Sequence, residues 1–245
     1  MTDLYPVTAV ATGVLGLAAG ALVPRLIAWV PEPDPPEPDP EEKDGTPERA
    51  EEPKELYADI AARPGLLWRT ALAAGVSAAA IGLVLGWDLS LLVALPLVPV
   101  AVALAVIDWR TRLLPTKLVA PSYALTIVTV LLAWLLGDRE LHDLERAALG
   151  WLIYGGMFFL LWFIYPSGLG YGDVRLSGVL GLALGWLGWP ELWVGIGAGL
   201  ILGGVGGGLL SLVTRRRDYP FGPFMLLGAL IGVVAGQPLI TALYG

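Results

Sequence analysis

Eight stretches of about 16 to 24 residues that are nearly free of charge constrain this chain more than any other feature. They lie at roughly 7–30, 66–87, 90–107, 114–136, 146–165, 174–189, 192–213 and 221–243. A helix needs about 20 apolar residues to cross the hydrocarbon core of a bilayer, where each backbone N–H and C=O must be satisfied within the protein. The chain is therefore expected to be all-α, a polytopic membrane helix bundle with about eight transmembrane helices. Composition agrees, since 56% of the 245 residues are hydrophobic, only 15% are charged, and 32 glycines suit helices packed closely in lipid. No large soluble catalytic domain fits beside eight spans. The third, sixth and eighth runs are the least regular: Pro96 and Pro99 interrupt one, and the other two begin at a charged or Pro-Gly-rich border. The first run reads as a span, not a cleaved signal peptide, because only Asp3 is charged before Arg25.

Lys and Arg are retained on the cytoplasmic side of membrane proteins. With the N-terminus outside, 13 of the 15 basic residues fall on inner borders, among them Arg25, Arg69, Arg110, Arg112, Lys117, Arg175 and the run Arg215-Arg216-Arg217. Arg139 and Arg146 are the exceptions, in an outer loop with Asp138, Glu140, Asp143 and Glu145. This orientation divides the chain into a first transmembrane helix at 1–30, a cytoplasmic loop at 31–65 and a helical core at 66–245. The loop opens Pro-Glu-Pro-Asp-Pro-Pro-Glu-Pro-Asp-Pro, and 12 of the 22 acidic residues lie between Glu32 and Asp59, which accounts for the net charge of −7. Such a segment has too little apolar surface to offset ordering and is expected to be disordered and extended.

The absence of cysteine excludes disulfides, thiolate catalysis and Cys-based zinc sites, and the single His142 leaves no histidine-built metal centre. Carboxylates remain. Asp173 stands in Gly170-Tyr171-Gly172-Asp173-Val174-Arg175-Leu176, at the edge of an apolar run. Asp108 ends Ala101-Val102-Ala103-Leu104-Ala105-Val106-Ile107 and opens a loop that closes at Pro115. A carboxylate at bilayer depth costs about 3 kcal/mol on insertion scales, so a chain that carries one there uses it. Both aspartates fall at the cytoplasmic border. Two carboxyls about 3 Å apart do not both ionise easily, so one can activate water while the other protonates a peptide carbonyl. The glycines would let the backbone turn sharply and let an extended substrate come close.

Plainer readings stand beside this one. An aspartate at a helix border is often a solvated residue or an N-cap. Asp218 reads as an ion-pair partner of the adjacent arginines, Asp88 as a cap on the outer face, and Trp29, Trp68, Trp87, Trp109 and Trp134 as interfacial anchors. The rival from another class is a membrane transporter or channel that uses the two carboxylates as a proton or cation relay.

At these residues the chain resembles the type IV prepilin peptidases. Gly170-Tyr171-Gly172-Asp173 is similar to their GxGD motif, with Arg175 in the usual Lys place. Asp108 followed by Pro115 is similar to their other catalytic motif, and Pro220-Phe221-Gly222-Pro223-Phe224 to their C-terminal segment. The resemblance covers about residues 66–245. It implies an aspartic endopeptidase in the bacterial inner membrane that cuts the short basic leader from prepilins or pseudopilins, with Asp108 and Asp173 as the catalytic dyad. It gives substrate-binding or loop-shaping roles to Gly170, Gly172, Arg175, Pro115, Pro220, Phe221, Gly222 and Pro223. No cofactor is implied for cleavage, whereas N-methylation of the product would require S-adenosylmethionine. Gly16-Leu17-Ala18-Ala19-Gly20-Ala21-Leu22 is similar to the family's first-helix motif, but Ala21 replaces the usual Ser, Pro24 falls where Asn is common, and the four-cysteine module of many members is absent.

Overall fold

The computed structural model describes residues 4–32, 55–137, 139–166, 169–207, 209 and 219–244, and among these every regular element is helical. In chain order they are α1 (Pro6–Ala21), α2 (Val23–Trp29), α3 (Tyr57–Ala61), α4 (Leu66–Leu85), α5 (Leu91–Thr111), α6 (Thr116–Leu136), α7 (Leu141–Ile164), α8 (Tyr171–Leu187), α9 (Trp189–Ile201) and α10 (Gly222–Tyr244). Among the described residues, six stretches are long and apolar enough to cross a membrane: Pro6–Trp29, which joins α1 and α2, then α4, α5, α6, α7 and Gly222–Leu243. α8 has 17 residues, and the 13 of α9 are prolonged by a π-helical turn at Leu202–Gly206. These two stand where the sixth and seventh runs were expected. The expected polytopic bundle is therefore present.

Two boundaries differ from the sequence reading, each for a local reason. α5 passes Asp108 and ends at Thr111, so Asp108 is the last-turn residue of a helix and does not open a loop. The helix also continues through Pro96 and Pro99, because neighbouring helices compensate for the hydrogen bonds that proline removes. α7 begins at Leu141, ahead of the 146 expected, because Glu140 and Asp143 form a reciprocal capping box that satisfies the first free N–H groups. Asp143 and Arg146 therefore belong to a helix, not to an outer loop. Of the segment 31–65 expected to lack structure, residues 33–54 lie outside the described residues, but its end is folded. Glu32 accepts hydrogen bonds from the N–H groups of Tyr57 and Ala58 at 2.9 and 3.0 Å, and Tyr57 and Ile60 of α3 are buried.

Lipid tails are as apolar as Leu, so helix association here depends on close backbone approach more than on apolar burial. α1 lies on α4 with Gly16 and Gly20 facing it, and an added Cβ would stand 2.6 Å from Ala74 O and 2.5 Å from Thr70 O respectively. α7 meets α8 through Gly150, Gly181 and Gly185, and a Cβ on Gly185 would lie 2.7 Å from Arg146 O. Most of α8 is buried, including Trp186, so it is the central helix of the bundle.

The end of α8 distal to Asp173 is fastened by one side chain. Arg146 donates to the carbonyls of Gly185 and Trp186 at 2.7 and 2.8 Å, and it pairs with Asp143 at 2.8 Å. These carbonyls are among those a helix terminus leaves without an intrahelical partner. At the same end Asp88 caps the start of α5 by accepting from Ser90 N–H at 2.7 Å, and Arg139 bonds it at 3.1 Å. Burial pushes the Asp88 carboxyl up, but the Ser90 and Arg139 interactions outweigh it and hold the group below its ordinary value. Trp29, Trp68, Trp87 and Trp109 are exposed near helix ends, as interfacial anchors would be.

Candidate functional site

α5 ends because Arg112 adopts a left-handed conformation (φ 55°) while its N–H bonds Asp108 O at 2.8 Å. That backbone state costs a non-glycine residue about 1–3 kcal/mol, and here it turns the chain toward Pro115, the N-cap of α6. The turn leaves Asp108 only 4% exposed, and its Oδ2 accepts a hydrogen bond from Gly222 N–H at 2.9 Å. Gly222 is the first residue of α10, so the donor is one of the N–H groups that a helix start leaves free, and the end of a helix dipole favours negative charge there. A Cβ on residue 222 would stand 2.7 Å from the same carboxylate oxygen. Only glycine leaves room for the carboxylate to reach that N–H.

Asp173 comes from the opposite direction, in the first turn of α8, where its N–H bonds Gly170 O at 3.0 Å. It is 8% exposed. The expectation that Gly172 lets the backbone turn sharply is not met: Gly172 is helical, and the positive-φ glycines among the described residues are Gly65 and Gly86. Its physical reason is space. A Cβ there would lie 2.9 Å from Leu114 Cβ, and Leu114 also borders Gly222. Leu114 is thus wedged between the two glycines that flank the aspartates, which places the two carboxyl groups in the same part of the bundle.

The remaining residues singled out in the sequence gather at the same end of the bundle. Arg175 bonds Thr116 Oγ1 with its guanidinium 5.4 Å from the Tyr171 ring centre, and Tyr123 Oη donates to Arg175 O at 2.9 Å. These contacts tie α8 to α6. Phe221 packs against Phe158 with the rings tilted and their centres 5.8 Å apart, and its carbonyl accepts from Phe224 and Met225 to start α10, with Pro220 half-buried before it and Pro223 following Gly222. Gly170 is the N-cap of α8.

Sequence reasoning gave no role to Leu114, Tyr123 or Tyr154. Tyr154 is fully buried with no hydrogen-bond partner for its hydroxyl among the described residues, and it lies within electrostatic reach of Asp173. Tyrosines inside apolar runs were the available signal, because a buried phenol hydroxyl needs a polar partner. Among the described residues no group of three or more His, Asp or Glu is placed to hold a metal ion.

Fold and site together define a multi-pass helical membrane protein whose two interacting, buried carboxyl groups lie at one end of the bundle, each beside a glycine. Residues 95–244, more than half of the chain, match the model of the type IV leader peptidase family, and the chain belongs to that family. It is 34% identical over 138 residues to the prepilin leader peptidase/N-methyltransferase of Escherichia coli (strain K12), covering 53% of this chain and 57% of that protein. It is 32% identical over 167 residues to the protein of the same name from Aeromonas hydrophila, covering 66% of this chain and 55% of that one. For the Pseudomonas putida protein of that name the values are 31% over 179 residues, 68% and 59%. The chain thus spans little more than half the length of these relatives. No solved structure matches.

Proposed function

We propose that this chain is an aspartic endopeptidase of the bacterial inner membrane that removes the leader from prepilins or prepilin-like proteins at the cytoplasmic face, with Asp108 and Asp173 as its dyad. The observation that carries the reading is the convergence of two buried carboxyls from antiparallel helices, one of them held by a backbone N–H. The basic residues Arg69, Arg110, Lys117 and Arg175 lie at the same end of the bundle, which supports a cytoplasmic position for it. In this reading the ionised member takes a proton from water as the water oxygen attacks the scissile carbonyl carbon, and the protonated member gives its proton to the carbonyl oxygen. The tetrahedral intermediate then collapses with C–N cleavage, and the departing amine takes a proton from the dyad. Gly172 and Gly222 leave the space in which the aspartates and an extended backbone meet.

A proton or cation relay is not supported by the family or by this placement, since both acids share one end of the bundle. Methylation is a different matter. The relatives are named as N-methyltransferases, but here Gly16 and Gly20 are occupied by packing on α4, and Pro24 lies in α2 between buried Val23 and Ile27. These residues offer no cradle for S-adenosylmethionine.

The test is co-expression with a prepilin from the same genome, read by gel mobility. Asp108→Asn and Asp173→Asn should each lower cleavage by about a thousandfold or more, because members of a catalytic unit fail together. Substantial mature product from either variant, correctly inserted, overturns the dyad.

A further inference from the structure

The reaction proposed for the dyad makes no use of Tyr154, although a fully buried phenol hydroxyl needs a polar partner. Its position follows from the helices around it. A Cβ on Gly199 of α9 would lie 3.5 Å from Tyr154 Oη and 3.4 Å from Met225 Cα. Met225 follows Gly222 on α10 by about one helical turn, so the hydroxyl lies about one turn deeper in the bundle than the N–H that holds Asp108. Ser177 comes to the same level on α8. It is fully buried and, one turn after Asp173, shares a helix face with it. That face points to α9, because Leu184, two turns further along it, packs on Gly195, where a Cβ would lie 2.7 Å from Leu184 Cδ1. Gly199 is the next turn of α9 toward the dyad. α7 gives the same register: a Cβ on Gly155 would lie 3.4 Å from Gly178 Cα, which sets residues 154 and 155 level with 177 and 178. Ser177 gives its own O–H to Val174 O at 2.7 Å and keeps its lone pairs as acceptors.

We infer that Tyr154, Ser177 and Asp173 hold one buried water behind the dyad, and that through it Tyr154 positions the Asp173 carboxyl group. The inference rests on the peptidase reading above and adds what orients one of its two acids. A buried water requires two to four polar partners, and these three groups supply them. The Tyr154 O–H donates to the water oxygen, and the two water hydrogens go to Ser177 Oγ and to a carboxyl oxygen of Asp173. Two hydrogen bonds in series span about 5.5 Å, close to the single helical turn that separates the hydroxyl from the dyad. This water is not the nucleophile, which meets the substrate on the open side of the acids. Tyr154 is therefore a positioning residue: it fixes the rotation of a carboxyl group for which a displacement near 1 Å costs about a hundredfold in rate. Its ring stands edge-on to Phe158 at 5.3 Å, and Phe158 packs on Phe221, the neighbour of Gly222. One aromatic cluster thus backs both acids, Asp108 through Gly222 and Asp173 through the Tyr154 hydroxyl.

The experiment uses the full chain in membranes with an intact prepilin from the same genome, and it measures kcat and KM separately. Tyr154→Phe keeps the ring and its packing on Phe158 and removes only the hydroxyl. It should lower kcat about tenfold or more and leave KM within about twofold. Tyr165→Phe, at an exposed tyrosine where the same helix ends, should leave both unchanged. Ser177→Ala should lower kcat by about threefold or more. Because both side chains serve one water, the double variant should be within about twofold of Tyr154→Phe alone, whereas the losses from two independent packing defects multiply. A kcat for Tyr154→Phe within about twofold of wild type, or losses that multiply in the double variant, overturns the inference while wild-type cleavage keeps the peptidase reading standing. Wild-type membranes that leave the prepilin uncut overturn the peptidase reading, and this inference with it.

Discussion

Gly222→Ala adds one methyl group at the point where the geometry of Asp108 is set. Its Cβ would arrive 2.7 Å from Asp108 Oδ2 and 3.3 Å from Cγ, whereas ordinary van der Waals contact begins at 3.4 Å. The carboxylate oxygen must therefore retreat by about 0.7 Å, and the 2.9 Å hydrogen bond from Gly222 N–H lengthens with it. A hydrogen bond to a charged group contributes about 1.5–3 kcal/mol, and a displacement near 1 Å at a reacting group costs about a hundredfold in rate. Both estimates give a loss of kcat/KM of roughly 10- to 150-fold, at 1.4 kcal/mol for each factor of ten. The fold should survive, because α10 keeps its packing on α5, α8 and α9. The assay is cleavage of a prepilin in membranes at matched enzyme abundance, with the helical circular dichroism of the purified protein as control. Activity within twofold of wild type, with the variant properly folded, would refute the argument that this contact sets the carboxylate.

Gly172→Val should lower cleavage far more than Gly172→Ala, because both press on Leu114 but the branched side chain has more to place. Tyr171→Phe, which keeps the ring that faces Trp162 and Arg175, should stay within about threefold of wild type, and equal loss in all three variants would point to a general folding defect. Arg146→Ala strips two terminal carbonyls of α8 of their donor and leaves Asp143 without its cation, so it should destabilise the bundle by about 3–5 kcal/mol. A melting temperature in detergent equal to that of wild type would contradict this.

The bundle was legible because its spans are long. A run of about 20 apolar residues has few other fates. Boundaries were less legible wherever charged residues turned out to be helical. Asp108 looked like the start of a loop because Trp109-Arg110-Thr111-Arg112 is polar, and nothing in single-residue preference marks Arg112 as the left-handed residue that ends α5. Asp143 and Arg146 looked like loop charges, but their side chains satisfy helix ends. Both aspartates were found from the apolar context that makes a carboxylate conspicuous. What holds Asp108 could not be read, since its partner is a main-chain N–H 114 residues away and a backbone donor has no residue-type signature. The sharp turn read into Gly172 is absent, and the neighbour it makes room for could not be read, because its contact with Leu114 crosses between elements.

α8 is fastened at both ends by arginines, Arg146 above and Arg175 below. Mechanically it is a strut with pinned ends: to tilt or slide it must break several polar bonds. Asp173, near one pin, is thereby a fixed reference point. Asp108 has a different support, a single bond to the first turn of α10. In the proposed reaction, any adjustment that brings the two acids to a bound peptide falls on α5 and α10, and the distance between the acids is set by the softer of the two mounts.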